Sequence, residues 1–171
     1  TFKLTCHRFI LAEFNTHRAL SRNSASSRAI PTAKLLKKIW SNPALPVSLG
    51  KNCKGMQAKA GEVSGWRRSL GIFSIRVWSK LSCLFSKWIN WLGIHKQISN
   101  RYLEPFMWQT IIVTATDWGN FFNLRAHPAA QPEFQALAYK MLETLSKSSP
   151  QILQPGEWHL PFGDVETRRS Y

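Results

Sequence analysis

Acidic residues are scarce in this chain. Nine Asp and Glu stand against 23 Lys and Arg, a formal net charge of +14 over 171 residues. That deficit turns the chain toward anionic partners: phosphates, nucleic acid or acidic lipid. Cysteine is also sparse. Cys6, Cys53 and Cys83 are odd in number and irregular in spacing, which excludes a disulfide framework and a CxxC metal site, so no metal is expected. Free thiols fit a reducing, cytoplasmic setting. Long apolar runs are missing, so no segment reads as a bilayer span, and no signal-peptide pattern opens the chain. No internal repeat is visible. Cys6-His7 has the residue types of a nucleophile and its base, but the pair closes a strand with no partner nearby in sequence, and a packed thiol is expected.

What is present is a mixture of strand and helix patterns. Phe2, Leu4 and Cys6 alternate with polar neighbours and predict a strand. A strand beginning on the first residue leads to the expectation that an N-terminal segment is missing. Residues 9–22 predict a helix, with Ile10 and Phe14 on one face and Glu13, His17 and Ser21 in line on another. Residues 23–28 read as a loop. Pro31 suits the first turn of a second helix, whose apolar stripe is Leu35, Leu36, Ile39 and Trp40. Residues 43–74 read as a long connection.

Residues 75–92 are helical in period, and Trp78, Leu81, Leu84, Phe85, Trp88, Ile89 and Leu92 form a broad apolar face. Such a basic, Trp-rich helix can lie on a membrane. Within a domain the face is expected to turn to the core. Residues 108–116, WQTIIVTAT, predict a buried strand. Pro132 opens a last helix with Phe134, Leu137, Ala138, Met141, Leu142 and Leu145 in one stripe. Residues 147–171 read as a tail. The pattern predicts one α+β domain over residues 1–171.

The chemistry concentrates between Thr16 and Arg28. Three arginines, a histidine and four serines fall at a helix end and the loop after it. Guanidinium forks bind phosphate in two-pronged geometry, and hydroxyls and loop amides can supply further donors. The stretch suits an anion cradle; an ordinary polar loop has the same composition.

That stretch resembles the signature of flavin-dependent thymidylate synthases, which runs Arg-His-Arg, two residues, Ser, one residue, Asn-Glu, one residue, Ser, one residue, Arg. His17, Arg18, Ser21, Asn23, Ser26 and Arg28 match in register, while Thr16 stands for the first Arg and Ser24 for the Glu. Asn100-Arg101-Tyr102-Leu103-Glu104-Pro105 is similar to a family segment with Arg four residues before Pro. Asn120-Phe121-Phe122-Asn123-Leu124-Arg125, followed by Ala130-Gln131 and Glu133, resembles the Asn-x-x-Asn-Leu-Arg block and its continuation. The three blocks cover residues 1–40 and 97–145. The pieces GKNCKGMQA and PGEWHLPF are similar to phage-type members.

The resemblance implies a fold of mixed helices on a small β-sheet. It implies FAD as cofactor, with His17, Arg18, Ala19, Ser24, Thr114, Thr116 and Asn120 at the flavin. It implies dUMP as substrate, with Glu13, Thr16, Ser24, Ser26, Ser27, Arg28 and Arg101 around the nucleotide and Arg125 beside the uracil as the catalytic cation. NADPH and methylenetetrahydrofolate would be co-substrates, and the sites would be shared between subunits of a homotetramer, in a bacterial or phage-infected cell. No protein nucleophile is needed. Glu13 stands where many members carry a neutral amide, and together with Thr16 and Ser24 it leaves open a related flavin-dependent one-carbon transferase. A basic nucleic-acid-binding module, using exposed Trp as stacking platforms, is the alternative from another class. The clustering of arginines in the three blocks argues against it, and membrane binding is likewise not expected.

Overall fold

Alternation along the first residues produces an edge strand, β1 (Phe2–His7), whose Leu4 and Cys6 turn inward. In the computed structural model, which describes residues 1–149 and 152–162, β1 pairs with β3 (Trp108–Thr114). A short strand, β2 (Ser21–Ser24), pairs with the other edge of β3. The sheet order is β1-β3-β2, antiparallel throughout, with Phe2 opposite Val113, His7 opposite Trp108, and Ser21 opposite Thr114. β3 is central but not wholly buried as its composition suggested. Gln109, Ile111 and Val113 point into the core, while Trp108 and Ile112 on the alternate face are exposed, the period-two signature of a sheet covered on one side.

That one side is closed by α1 (Leu11–Phe14), α5 (Gly119–Arg125) and α6 (Pro132–Ser146). Phe14 stacks on Phe134 with centroids 5.8 Å apart, and Phe121 meets both rings. With Ile10, Leu20, Ile111, Val113, Ala138 and Met141 they make the first core cluster. Each large apolar side chain buried here contributes on the order of 1.5–3 kcal/mol.

The helix expected over residues 9–22 is much shorter. A 3-10 turn (Arg8–Ile10) leads into the single turn of α1, and the chain then bends. The Thr16 hydroxyl donates to the Glu13 carbonyl at 2.7 Å. Residues 21–24, divided above between that helix and a loop, instead join the sheet. The physical reason is tertiary: pairing with β3 satisfies their backbone groups, which local propensity could not foresee.

A second core cluster lies under α2 (Thr32–Ser41), α3 (Gly65–Trp91) and a 3-10 stretch (Asn100–Phe106), with α4 (Lys96–Ser99) between the last two. Leu35, Ile39, Cys83, Leu103, Phe106 and Met107 fill it. Trp40, expected in the α2 stripe, lies outside, with the Lys80 ammonium 4.6 Å from its ring centroid.

α3 differs from expectation in two ways. It starts at residue 65, ten residues inside the expected connection, after Gly65 takes the left-handed φ of 59° that suits glycine. It is also inverted. Its buried residues are Ser79, Cys83, Ser86 and Ile89, and of the predicted apolar face only Ile89 is buried. Small side chains let α3 approach its neighbours closely, and the Ser86 hydroxyl donates to the Ser99 carbonyl at 3.0 Å. Outward it presents Trp66, Leu70, Phe73, Val77, Leu84 and Trp88. A helix of 27 residues at ~1.5 Å per residue runs about 40 Å. No helix among the described residues is long and apolar enough to cross a membrane.

Candidate active site

Arg125, the last residue of α5, lies across the start of α6. Its guanidinium sits 4.5 Å from the Phe134 ring centroid. Its Nε donates to His17 Nε2 at 2.9 Å, and its Nη1 lies 3.5 Å from Glu13 Oε2. A ring nitrogen that accepts carries no proton, so the His17 proton belongs on Nδ1. The electrostatics agree. Burial lowers the His17 pKa below the ordinary histidine value, and the charges of Arg125 and Arg22 lower it further. Phe121 meets the His17 ring edge-on at 5.1 Å. Arg125 is therefore held on three sides by residues that come from the first block and from α6.

The turn carrying His17 has its own clamp. Arg22 donates from Nε to Asn15 Oδ1 at 2.9 Å, and from Nη1 to the carbonyls of His17 at 3.0 Å and Leu20 at 2.8 Å; its Nη2 also meets the Asn15 carbonyl. Arg22 counted above as one of three candidate anion binders; its donors are instead spent on the backbone that shapes this turn. Beside Arg125 opens a cavity of about 690 Å³, lined by Glu13, Arg125, Gln131 and loop residues including Met56, Gln57 and Lys59. Its volume lies in the range of ordinary ligand sites.

A second polar cluster gathers on Glu104. Glu104 accepts from the Ser27 hydroxyl and, at 2.8 Å, from Arg101 Nη1, and Arg8 Nη2 stands 3.3 Å from its other oxygen. Arg8 also donates to Gln109 Oε1 at 2.6 Å, and Gln109 Nε2 donates to the Ala25 carbonyl at 2.8 Å. Asn100 Nδ2 donates to the carbonyls of Ser27 at 2.8 Å and Ile30 at 2.9 Å. Burial pushes the Glu104 carboxyl up, but the Ser27 hydroxyl and the charges of Arg8 and Arg101 outweigh it, and the net pKa lies below the ordinary carboxylate value. Ser26 and Arg28 are exposed on either side of buried Ser27, so the first and second blocks meet here.

A third group marks one end of the sheet. Thr114 closes β3 opposite Ser21, and its hydroxyl lies 2.6 Å from the Thr1 hydroxyl. Arg18, Ala19, Thr116 and Asn120 are exposed, and Ser24 is half-buried at the far end of β2. Among the described residues, no side-chain hydrogen bond links the Arg125 group to the Glu104 group. One chain thus assembles two clusters, each joining distant blocks.

The buried Cys6 thiol is raised to about 11 by desolvation, partly offset by Arg8, and makes only a weak contact to the Gln109 carbonyl at 3.8 Å. A thiol so rarely ionised is a poor nucleophile. Arg8, Gln109 and Glu104 had no expected role. Of these only the Arg101–Glu104 spacing of three, within a helical segment, carried a signal in the sequence; Arg8 and Gln109 join through the sheet register. Among the described residues no group of His, Cys, Asp and Glu is placed to hold a metal ion.

With this geometry in view, a known protein family can be matched to the chain. The model of the family described as thymidylate synthase complementing protein (Thy1) covers residues 1–151. No curated protein matches the chain.

Proposed function

The chain belongs to the thymidylate synthase complementing protein family, the flavin-dependent thymidylate synthases, and on that premise we propose that it methylates dUMP reductively to dTMP, with FAD as cofactor and methylenetetrahydrofolate and NADPH as co-substrates. The observation that carries the proposal is Arg125, a cation fixed by His17, Glu13 and Phe134 at the edge of a cavity large enough for a nucleotide base.

The donor set at the end of the sheet fits a flavin dinucleotide. The exposed Arg18 guanidinium suits its pyrophosphate, and Thr114, Thr116 and Asn120 with the His17–Ala19 turn supply neutral partners for its rings and sugars. Bound and reduced, the flavin supplies the reducing equivalents of the methylation. The chain's own residues do the rest. Arg125 beside the uracil favours loss of the N3 proton, and the added ring charge makes C5 the better nucleophile toward the folate's one-carbon unit. Neutral His17 keeps Nε2 as an acceptor and so fixes the guanidinium plane. Arg28, Ser26 and Arg101 hold the nucleotide phosphate and sugar, with Ser27 acting through Glu104; Ser24 and Thr16 are further nucleotide contacts in the proposal, and Glu13 serves it from beside Arg125. Membership in this family supports the enzyme reading over the nucleic-acid-binding alternative.

Homotetrameric assembly with shared sites belongs to the same proposal. It is supported by the outward apolar face of α3, which another copy would cover. The cytoplasm, where nucleotide pools are made, is its proposed location.

Thr16 and Ser24 favour one second reading, a related flavin-dependent transfer that leaves a different one-carbon group on the pyrimidine. Thr16 replaces a guanidinium, and its hydroxyl turns to the Glu13 carbonyl. The experiment is the visible spectrum of the purified protein, followed by product analysis with dUMP, methylenetetrahydrofolate and NADPH. Flavin absorbance near one per chain with dTMP formed supports the proposal. A colourless protein whose melting temperature ignores added FAD overturns it, since a ligand of the native state must raise stability. A flavoprotein that yields another pyrimidine product selects the second reading.

A further inference from the structure

We propose that Glu104 is a positioning residue that holds Arg101 and the Ser26–Arg28 turn together as one preformed phosphate site. The proposal rests on the nucleotide-binding reading above and adds to it a residue with no assigned role.

A nucleotide phosphate needs donors that converge before it arrives. Arg101 by itself does not offer that, because its side chain is 49% exposed, and a free arginine samples many rotamers. Glu104 removes that freedom. Its side chain is only 19% exposed, and one oxygen, Oε1, accepts both from Arg101 Nη1 and from the Ser27 hydroxyl. A single atom thus fixes the distance between the second block and the turn whose next residue is Arg28. Arg101 commits one Nη to this contact and keeps the remaining N–H groups of its fork for an anion.

The carboxylate is itself anchored. Arg8 holds Oε2 and reaches back through Gln109 to the Ala25 carbonyl, so the turn is gripped before and after Ser26. Asn100, one residue from Arg101, completes the grip on the Ser27 and Ile30 carbonyls. The opposing effect is charge, since a carboxylate beside a phosphate repels it. Here Arg8, Arg28 and Arg101 outnumber Glu104, and the local field stays positive. An ion pair that served only stability would contribute little at so exposed a site as Arg101.

The test uses the flavin-loaded protein and compares dissociation constants for dUMP and for deoxyuridine by isothermal titration. Their ratio isolates the phosphate's share and does not move with general destabilisation. Wild type should prefer dUMP. Glu104→Ala should cut that preference about tenfold, the worth of one hydrogen bond to a charged group. Glu104→Gln, which keeps the volume and one acceptor oxygen, should cut it by about threefold and carries the test if the alanine variant does not fold. In an Arg101→Ala background the Glu104→Ala change should add clearly less than its full tenfold, because the part of its effect that passes through Arg101 is already lost and only the hold on the Ser27 turn remains.

A preference unchanged in Glu104→Gln, or a full further loss in the Arg101→Ala background, overturns the proposal while leaving nucleotide binding intact. A wild type indifferent to the phosphate overturns the nucleotide reading itself, and this proposal with it.

Discussion

Replacing Arg125 by alanine should cost turnover far more than it costs folding, and the structure gives both magnitudes. For folding, three contacts disappear. The Nε bond to His17 at 2.9 Å is a hydrogen bond from a charged donor, worth about 1.5 kcal/mol at the low end because water can replace the donor at a half-buried ring. The guanidinium over Phe134 at 4.5 Å contributes about 1 kcal/mol. The Glu13 contact, long at 3.5 Å and to a side chain 47% exposed, contributes about 0–0.5 kcal/mol. The expected loss of stability is therefore about 2.5–3 kcal/mol, enough to lower the melting temperature without unfolding the protein.

For catalysis, if Arg125 faces the uracil as proposed, its loss should lower kcat by on the order of 10²–10³-fold, with a smaller change in dUMP affinity. Arg125→Lys should recover less than a tenth of the rate, because an ammonium cannot keep the His17 bond and face the uracil together. Single-turnover oxidation of the reduced enzyme with dUMP and methylenetetrahydrofolate measures the rate, and urea unfolding measures stability. NMR titration adds an independent check. Removing the Arg125 charge should raise the His17 pKa, while burial and Arg22 still hold it below the ordinary value. A variant that retains flavin and turns over at the wild-type rate would refute the role of Arg125. A His17 titration that does not move would refute the contact from which the role was argued.

Two further outcomes are expected. Burial first, and for His17 also two arginines, lower the pKa of His7 and His17 below the unfolded value, so the unfolded chain binds more protons in the interval between the two values. Stability should be full above about pH 6.5 and fall as pH drops toward the folded values; urea midpoints at pH 8 and pH 5.5 test this, and a His7→Gln variant should show a shallower fall, an equal fall refuting the share assigned to His7. Trp88→Glu on the outer face of α3 should leave helix content intact but lower the subunit count seen by light scattering, and an unchanged assembly would exclude this part of α3 from the interface.

Much of the fold was legible locally. The α6 stripe at Phe134, Ala138 and Met141 and the alternation of β1 and β3 follow from helical and strand periods, which are properties of consecutive residues. The motif stretch from Thr16 to Arg28 was recognisable for the same reason, because its residues keep fixed spacing along the chain. Other features had no local signature. The helix expected over 9–22 gave way to a turn and β2 because an edge of β3 was open to pair with Ser21–Ser24. The broad apolar stripe of α3 pointed to burial, yet the face the helix buries is mostly small, Ser79, Cys83 and Ser86 with Ile89 the one large side chain.

By itself the sequence determined most of the element types, outside residues 9–24, together with the basic character and the blocks that mark the family. Tertiary structure decided which of those blocks meet. Arg125 reaches His17 across 108 residues, and Ser27 reaches Glu104 across 77. Spacing along the chain says nothing of such distances. They are set by the antiparallel register of β3 with β1 and β2 and by the packing of Phe14, Phe121 and Phe134, which places the end of α5 against the turn after α1. Which cations remain free for a ligand was settled in the same way. Arg22 and Arg8 are consumed by nearby oxygen acceptors, whereas Arg18 and Arg28 stay exposed, because only the folded chain brings acceptors within hydrogen-bond reach.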